Sequence, residues 1–200
     1  MARYTGPKRK LSRREGVALF TKDIKALERK GAVPTRQHMG RSRRRFSEYG
    51  LQLREKQKAK RMYGLLEKQF RRYFETASRS RGNSGLILLE FLESRIDNIV
   101  YRLGFASSRA GARQLVSHGH ILVDGKKTTI PSFKVKVDQV VEISQKLVDN
   151  TQVKKSLQGM DSIPPWLERK ATVGKVLRLP SREEMEKSIN EHLIVEYYSR

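Results

Sequence analysis

The chain has 200 residues and a formal net charge of +22 at pH 7, with 43 Lys and Arg against 21 Asp and Glu. The excess is concentrated in residues 1–82, which contain 25 of the cations and 7 of the anions, and it is typical of proteins that bind polyanions. Only 37% of the residues are hydrophobic, which indicates small modular cores, and the absence of Cys excludes disulfides and thiolate metal sites.

Several classes of protein are not expected from this sequence. No stretch approaches the roughly 20 apolar residues that span a bilayer, the first residues lack the apolar core of a secretory signal, and the basic stretches lack a membrane-inserting face. Phosphate-loop, dinucleotide-binding and nucleophile-elbow motifs are absent. We therefore expect a cytoplasmic protein without membrane contact, catalytic residues, cofactor or small-molecule substrate.

Residues 1–46 form a predicted basic N-terminal arm. Glycines interrupt it, its cations include the run Arg41–Arg45, and only Glu15–Ala26 shows much helical pattern. Two interpretations stay open, a disordered arm and an arm that becomes ordered on a polyanion.

Residues 47–92 are predicted to form a helical subdomain, with one long helix or two helices broken near Gly64. Leu66, Phe70 and Phe74 belong to an apolar stripe at helical spacing, so we assign both phenylalanines to packing. The other surfaces carry many cations, and Tyr49 remains a candidate for RNA contact.

Residues 93–145 predict a module of helix, turn, helix and hairpin. An apolar stripe runs from Leu92 to Leu103, Gly104 ends the first helix in a left-handed conformation, and Ser107 or Ser108 caps the second. Asp124-Gly125 favours a two-residue type I′ turn between two strands.

Two groups of cations lie on this module. Arg109 and Arg113 are four residues apart, so they are predicted to point together away from the core, where each guanidinium can bind a phosphate. Lys126-Lys127 follow the hairpin turn. Replacing both arginines is expected to weaken RNA binding and leave the fold intact. His118 and His120 are more consistent with RNA contact or hairpin structure than with a metal site.

The remaining sequence predicts short strands at Val135/Val137 and Val141/Ile143. Residues 146–200 are predicted to be a C-terminal extension that packs back on the helical subdomain, which segment 160–200 would complete. In this extension Trp166 packs into the core, a Ser181–Glu184 capping box starts a short helix, and Leu193–Tyr198 forms a closing strand. The predicted fold class is α+β, a mainly helical basic N-terminal subdomain plus a small helix-pair and β-hairpin module with short antiparallel strands.

Specific strings of residues go beyond these patterns. Residues Glu93–Ile143 resemble the RNA-binding domain named after small-subunit ribosomal protein four, and nearly the whole chain resembles the family of that ribosomal protein. The strings that carry this second resemblance are ARYTGPK, LSRREG, SEYGLQLREKQKAKRMYGLLEKQFRRYF, KVLRLPSREE and LIVEYYSR.

Many members hold zinc with a Cys cluster near the amino terminus. Here Lys8-Arg9 stand where a Cys commonly lies, so the chain resembles the zinc-free variant. Val137-Asp138-Gln139 replaces a turn that often contains Gly.

The resemblance implies a structural constituent of the small (30S) ribosomal subunit that binds a multi-helix junction in the 5′ domain of 16S-type ribosomal RNA and nucleates assembly. Further implied partners are neighbouring small-subunit ribosomal proteins and messenger RNA where it enters the ribosome, with an effect on translational accuracy. The predicted RNA-binding residues are Arg3, Lys8, Arg9, Lys10, Arg13, Arg14, Arg43, Arg44, Arg45, Tyr49, Arg54, Lys56, Lys60, Arg61, Arg71, Arg72, Arg109, Arg113, His118, His120, Lys126 and Lys127.

Two alternatives remain. An RNA-modifying enzyme or synthetase carrying the same module would need a separate catalytic domain, which residues 1–92 and 146–200 do not offer. A nonspecific DNA-compacting protein would show little preference for a folded RNA junction over duplex DNA.

Overall fold

The computed structural model describes residues 4–20, 23, 47–148, 150–158 and 163–200. These residues divide into two compact units, the first within Met1–Gly85 and Ser188–Arg200 and the second within Leu86–Lys187. Within the described ranges, every helix is too short or too polar to traverse a lipid bilayer.

Helices and short strands follow one another as the α+β class predicts, which confirms the fold class. The elements are α1 (Lys8–Glu15), α2 (Glu48–Met62), α3 (Glu67–Arg79), α4 (Ser84–Glu93), α5 (Ile96–Arg102), α6 (Arg109–Ser117), β1 (Ile121–Val123), β2 (Lys126–Thr128), β3 (Val140–Ile143), α7 (Gln145–Val148), α8 (Thr151–Gln158), β4 (Leu167–Lys170), β5 (Val173–Val176) and α9 (Glu191–Tyr198).

Two predictions about the first helices can be compared with these bounds. The alternative of two helices broken near Gly64 is confirmed by the separation of α2 from α3. The helical pattern predicted from Glu15 onward is wrong at its start, because α1 ends at Glu15 and Gly16 follows as its left-handed cap. Residues 21–22 and 24–46, which contain most of the predicted arm, lie outside the described residues.

Aromatic packing forms much of the first unit's core. Phe70 and Phe74 of α3 are buried, and the Tyr198 ring stacks on Phe74 with centroids 4.5 Å apart. The packing role predicted for both phenylalanines is confirmed. The strand predicted for Leu193–Tyr198 is wrong, since these residues lie in α9, which Asn190 caps by accepting a hydrogen bond from the backbone N–H of His192. A short run of apolar residues is compatible with both the two-residue period of a strand and the 3.6-residue period of a helix. Here the Asn190 cap favours the helix.

A charged network lies beside these rings. The Lys56 ammonium is buried, 2.8 Å from one carboxylate oxygen of Glu67 and 4.3 Å from the centroid of Tyr197. Lys60 and the Tyr198 hydroxyl also donate to Glu67, at 2.8 and 2.9 Å. Burial alone would raise the pKa of Glu67, but these three donors outweigh it and lower the pKa to about 2.

The second unit is built on one antiparallel sheet with strand order β2-β1-β3-β5-β4. β1 pairs with β2 on one side and β3 on the other, so that Ile121 lies opposite both Thr128 and Ile143. Residues of α5, α6 and the sheet share one core, which includes Ile99, Val116 and Trp166. The core position predicted for Trp166 is confirmed.

The helix predicted through Leu92 to Leu103 is divided in two. Leu92 belongs to α4, and a break at Ser94-Arg95 precedes α5. Arg95 forms a single β-bridge with Lys134, and the backbone N–H of Ile96 donates to Phe133 O at 2.9 Å. Backbone groups at the break therefore form hydrogen bonds with a loop distant in sequence, where a continuous helix would bond them internally. The helical periodicity of the apolar residues does not show this long-range pairing.

The C-terminal segment also differs from its prediction. β4 and β5 extend the sheet, because Val141 of β3 pairs with Gly174 of β5, so residues 163–187 belong to the second unit and only Ser188–Arg200 belongs to the first.

The predicted strand at Val135/Val137 is reduced to the bridge at Lys134. At Ser181 the backbone N–H and the hydroxyl both donate to Glu184, but a turn forms there in place of a helix.

The Glu67 network predicts a measurable pH dependence of stability. Glu67→Gln keeps the shape but leaves buried Lys56 without its carboxylate, so we expect a loss of about 1–2 kcal/mol at pH 7, less than for a fully buried pair because Glu67 is 44% exposed. The lowered pKa means that the wild-type advantage is complete above pH 4.5 and disappears as the pH falls toward about 2.

Urea unfolding of both proteins between pH 2 and 7 measures this difference. Glu75→Gln is the matched control, because Glu75 pairs with Arg71 on the exposed surface of α3 and its loss should cost little. Equal unfolding midpoints for wild type and Glu67→Gln at pH 7 would contradict the role of this network.

Candidate nucleic-acid interface

Helix α6 begins where the sequence predicts. Gly104 has φ +76°, and the Ser108 hydroxyl accepts a hydrogen bond from the backbone N–H of Gly111 at 3.2 Å. Ala112 and Val116 are buried in the core. This confirms the left-handed stop at Gly104 and the cap at Ser108.

The arginines of α6 do not lie on an open face, and that predicted placement is wrong. The Arg109 side chain is 17% exposed, donates from Nε to Asn98 Oδ1 at 2.9 Å and from Nη2 to Glu186 Oε2 at 3.0 Å, and lies over the Tyr101 ring. The Arg113 side chain is 16% exposed, with Nη1 at 3.6 Å from Asp97 Oδ2. Both guanidiniums are therefore turned toward carboxylates of the second unit.

Arg109 belongs to a closed ring of five polar side chains. Fully buried Glu93 accepts from Asn98 Nδ2 at 2.6 Å and from Arg102 Nη2 at 2.7 Å, and Arg102 Nη2 lies 3.7 Å from Glu186. The Arg109 contacts with Asn98 and Glu186 close the ring. It connects the end of α4 with α5, α6 and the segment after β5, so it fixes the position of α6.

Arg113 lies beside a second buried pair. Arg95 is 1% exposed and binds Asp97 with two nitrogens, Nε at 3.0 Å from Oδ1 and Nη2 at 2.7 Å from Oδ2. Such a fork is the strongest geometry between Arg and a carboxylate. Asp97 thus has two cationic neighbours, one from the helix break and one from α6.

The hairpin presents its lysines as predicted. Asp124 and Gly125 have φ +49° and +73°, as a type I′ turn requires, and Lys126 and Lys127 are exposed. Among the described residues, neither ammonium pairs with a carboxylate. His118 is exposed and His120 half-buried, with ring centroids 6.1 Å apart.

Helix α1 contributes a cationic surface in the first unit. Leu11 and Ser12 are buried, and the Glu15 carboxylate, whose pKa burial raises, pairs with Arg61 of α2. Five exposed cations, Lys8, Arg9, Lys10, Arg13 and Arg14, are distributed around this helix. Arg9 Nε lies 3.9 Å from Asp23 Oδ1, and Lys8 Nζ lies 5.6 Å from the centroid of the Phe20 ring. Because α1 is anchored by its buried residues, it holds these cations at fixed positions.

The cations predicted on α2 and α3 divide into two groups. Lys56 is buried against Glu67 and Tyr197, so the structure contradicts an RNA-facing position for it. Lys60 is paired with Glu67 and Arg61 with Glu15, with side chains 17% and 16% exposed. Arg54 is half-buried.

Three of the predicted residues on these helices stay exposed. They are Arg71, Arg72 and Tyr49, the last 48% exposed with its ring 5.7 Å from Tyr197. Arg3, Arg43, Arg44 and Arg45 lie outside the described residues.

Exposed cations that the sequence analysis did not single out also lie on these units. Arg79 ends α3 and Arg81 follows in the turn after it, while Lys134 and Lys136 lie in the loop before β3. In the sequence, the available sign of RNA contact at Arg81, Lys134 and Lys136 was a positive charge in a turn or loop. In the part of the chain that the structure describes, no three His, Cys, Asp or Glu side chains are close enough together to hold a metal ion.

The ring of five side chains predicts that Arg109 contributes to stability. Arg109→Ala leaves Glu186 and Asn98 without this donor, so we expect a loss of about 2 kcal/mol, measured by urea or thermal unfolding. Lys126→Ala is the control and should stay within about 0.5 kcal/mol of wild type, because its side chain is exposed. Unchanged stability of Arg109→Ala would show that the ring does not fix α6.

The whole chain matches known families and relatives. The model of the ribosomal protein S4/S9 N-terminal domain matches residues 3–93, and that of the S4 domain matches residues 94–141. The chain is 55%, 53% and 50% identical to proteins named small ribosomal subunit protein uS4 from Dictyoglomus turgidum, Variovorax paradoxus and Chloroflexus aurantiacus, with 100% of both chains covered in each case. These matches confirm the resemblance drawn from the sequence. The chain belongs to the uS4 family of small ribosomal subunit proteins.

Proposed function

We propose that this chain, a structural constituent of the small ribosomal subunit, binds the subunit's ribosomal RNA at a junction of several helices and stabilises one arrangement of them during assembly. The observation that carries the proposal is the separation of its charges. The buried side chains of Glu15 and Glu93 pair with Arg61 and Arg102 inside their units, while cations of α1, α3 and the hairpin remain exposed. The bacterial relatives imply a cytoplasmic location on the ribosome.

The proposed mechanism is electrostatic. RNA helices that converge at a junction repel one another through their phosphates, so a rigid cationic surface lowers the free energy of one arrangement. The deep major groove of A-form RNA excludes side chains, and contacts with phosphates and 2′-hydroxyls therefore supply most of the recognition. The helices and hairpin hold the cations at fixed spacings, so specificity comes from shape.

The proposal includes further partners and excludes catalysis. Tyr49 and Leu51 on α2 are 48% and 47% exposed, so each offers apolar area to a neighbouring ribosomal protein. Messenger RNA at its entrance to the subunit, with an effect on accuracy, is proposed for the basic arm. The chain acts by binding alone, and the alternatives of an RNA-modifying enzyme and a DNA-compacting protein are outcomes of the tests below.

Salt dependence measures the number of phosphate contacts. If roughly eight phosphates are neutralised, a plot of the logarithm of the affinity for a 5′-domain RNA junction against the logarithm of the salt concentration should have a slope of about −7. Filter binding or fluorescence anisotropy measures the slope, with duplex DNA as competitor. Equal affinity for the DNA would favour the compacting function, and a slope near about −2 would reject so broad a contact.

The hairpin lysines allow a charge-matched comparison. The double variant Lys126→Ala, Lys127→Ala should weaken junction binding by roughly tenfold or more, because two phosphate contacts are lost. The control Lys170→Ala, Lys175→Ala removes the same charge from lysines that pair with Glu168 and Asp138, and it should change the affinity less than about twofold. Equal losses in both double variants would show that net charge alone sets the affinity.

A further inference from the structure

Gly119 lies between the two histidines that precede the hairpin. It follows the last turn of α6 with φ +71° and is buried. Its backbone N–H donates to Val116 O at 2.8 Å, so it closes the helix end.

The side chain of Lys127 crosses this glycine. A Cβ placed on Gly119 would lie 2.1 Å from Cε and 2.9 Å from Nζ of Lys127, and 3.3 Å from Cγ2 of Thr129. Real Cβ atoms do not approach other atoms this closely, so only Gly allows the lysine to lie where it does. The exposed lysine at the hairpin is therefore packed along part of its length.

This packing determines where the ammonium lies. A lysine side chain on a two-stranded hairpin that packs against no neighbouring residue samples many rotamers. It loses this conformational entropy when it binds a phosphate. Here the Cε and Nζ end of the side chain already lies against Gly119, which stands between His118 and His120. The Lys127 ammonium thus lies against the residue between two histidines whose ring centroids are 6.1 Å apart, and together these groups are donors suited to a single phosphodiester.

We propose that Gly119 is a positioning residue, whose missing side chain holds the Lys127 ammonium beside His118 and His120 to bind one phosphate of the RNA backbone. The proposal rests on the proposed RNA-binding function and assigns it a particular contact. The competing role for Lys127 is to neutralise the negative end of α6, which would affect stability and not affinity.

Gly125 provides a matched control. It has φ +73°, close to that of Gly119, but a Cβ placed on it would meet no atom within 4 Å. Ala at either position bears the same left-handed backbone strain, and only Gly119→Ala displaces Lys127. The atom displaced is the far end of a flexible side chain, so the fold of Gly119→Ala should survive.

The test compares Lys127→Ala, Gly119→Ala, the double variant and Gly125→Ala by RNA-junction affinity, salt slope and urea unfolding. Loss of one phosphate contact should weaken binding about fivefold near 0.15 M salt and reduce the slope by about 0.7–0.9. We expect this result for Lys127→Ala and Gly119→Ala, no further loss in the double variant, and wild-type affinity and slope for Gly125→Ala.

Each other outcome overturns the inference in a recognisable way. If Gly119→Ala binds like wild type while Lys127→Ala is weakened, Gly119 does not position the lysine. If Gly125→Ala is weakened equally, or if Gly119→Ala still weakens binding when Lys127 is already Ala, the cause is not displacement of Lys127. An unaffected Lys127→Ala removes Lys127 from the RNA contacts, and the inference fails with it. The broader function then stands or falls by the wild-type salt slope and DNA competition.

Discussion

Internal pairing of carboxylates with Arg and Lys is the interaction on which this structure depends. A chain with a net charge of +22 repels itself when compact, so cations at the contacts between its helices need counter-charges. Glu15 meets Arg61 between α1 and α2, and Glu67 meets Lys56 between α2 and α3. In the second unit Glu93 and Arg102 serve the same purpose within the ring that fixes α6. The few acidic residues thus stabilise the framework, and the remaining cations stay available to a polyanion.

This division has a cost and a consequence. Desolvating a pair of charges can cancel their attraction, so buried pairs need not add net stability, but removing one partner is expensive because the other is left buried and uncompensated. Such pairs therefore favour one arrangement of the helices over others. A fixed arrangement is what recognition by shape requires, since phosphates at a junction are matched only by cations whose spacing does not vary.

Local features of the sequence predicted local structure well. The stop at Gly104, the cap at Ser108 and the turn at Asp124-Gly125 follow from conformational preferences of single residues. Side-chain partners could not be predicted, because they come from distant positions: Arg109 meets Glu186 from 77 residues away, and Glu67 meets Tyr198 from 131 residues away. A cation on a helix surface and one buried against a carboxylate look alike in sequence, as Lys56 shows. For the same reason β4 and β5 were missed, since short strands are defined by the strand they pair with.

The central claim is that cations buried against carboxylates hold the framework and exposed cations of α1, α3 and the hairpin bind RNA, and lysine acylation tests it most directly. The folded chain would be treated with an amine-reactive reagent, free and bound to a 5′-domain RNA junction, and modification at each lysine measured by mass spectrometry. The account predicts that Lys126 and Lys127 react in the free chain and are protected by RNA, whereas Lys56 reacts in neither state. Ready modification of Lys56 in the free chain, together with its protection by RNA, would contradict the account.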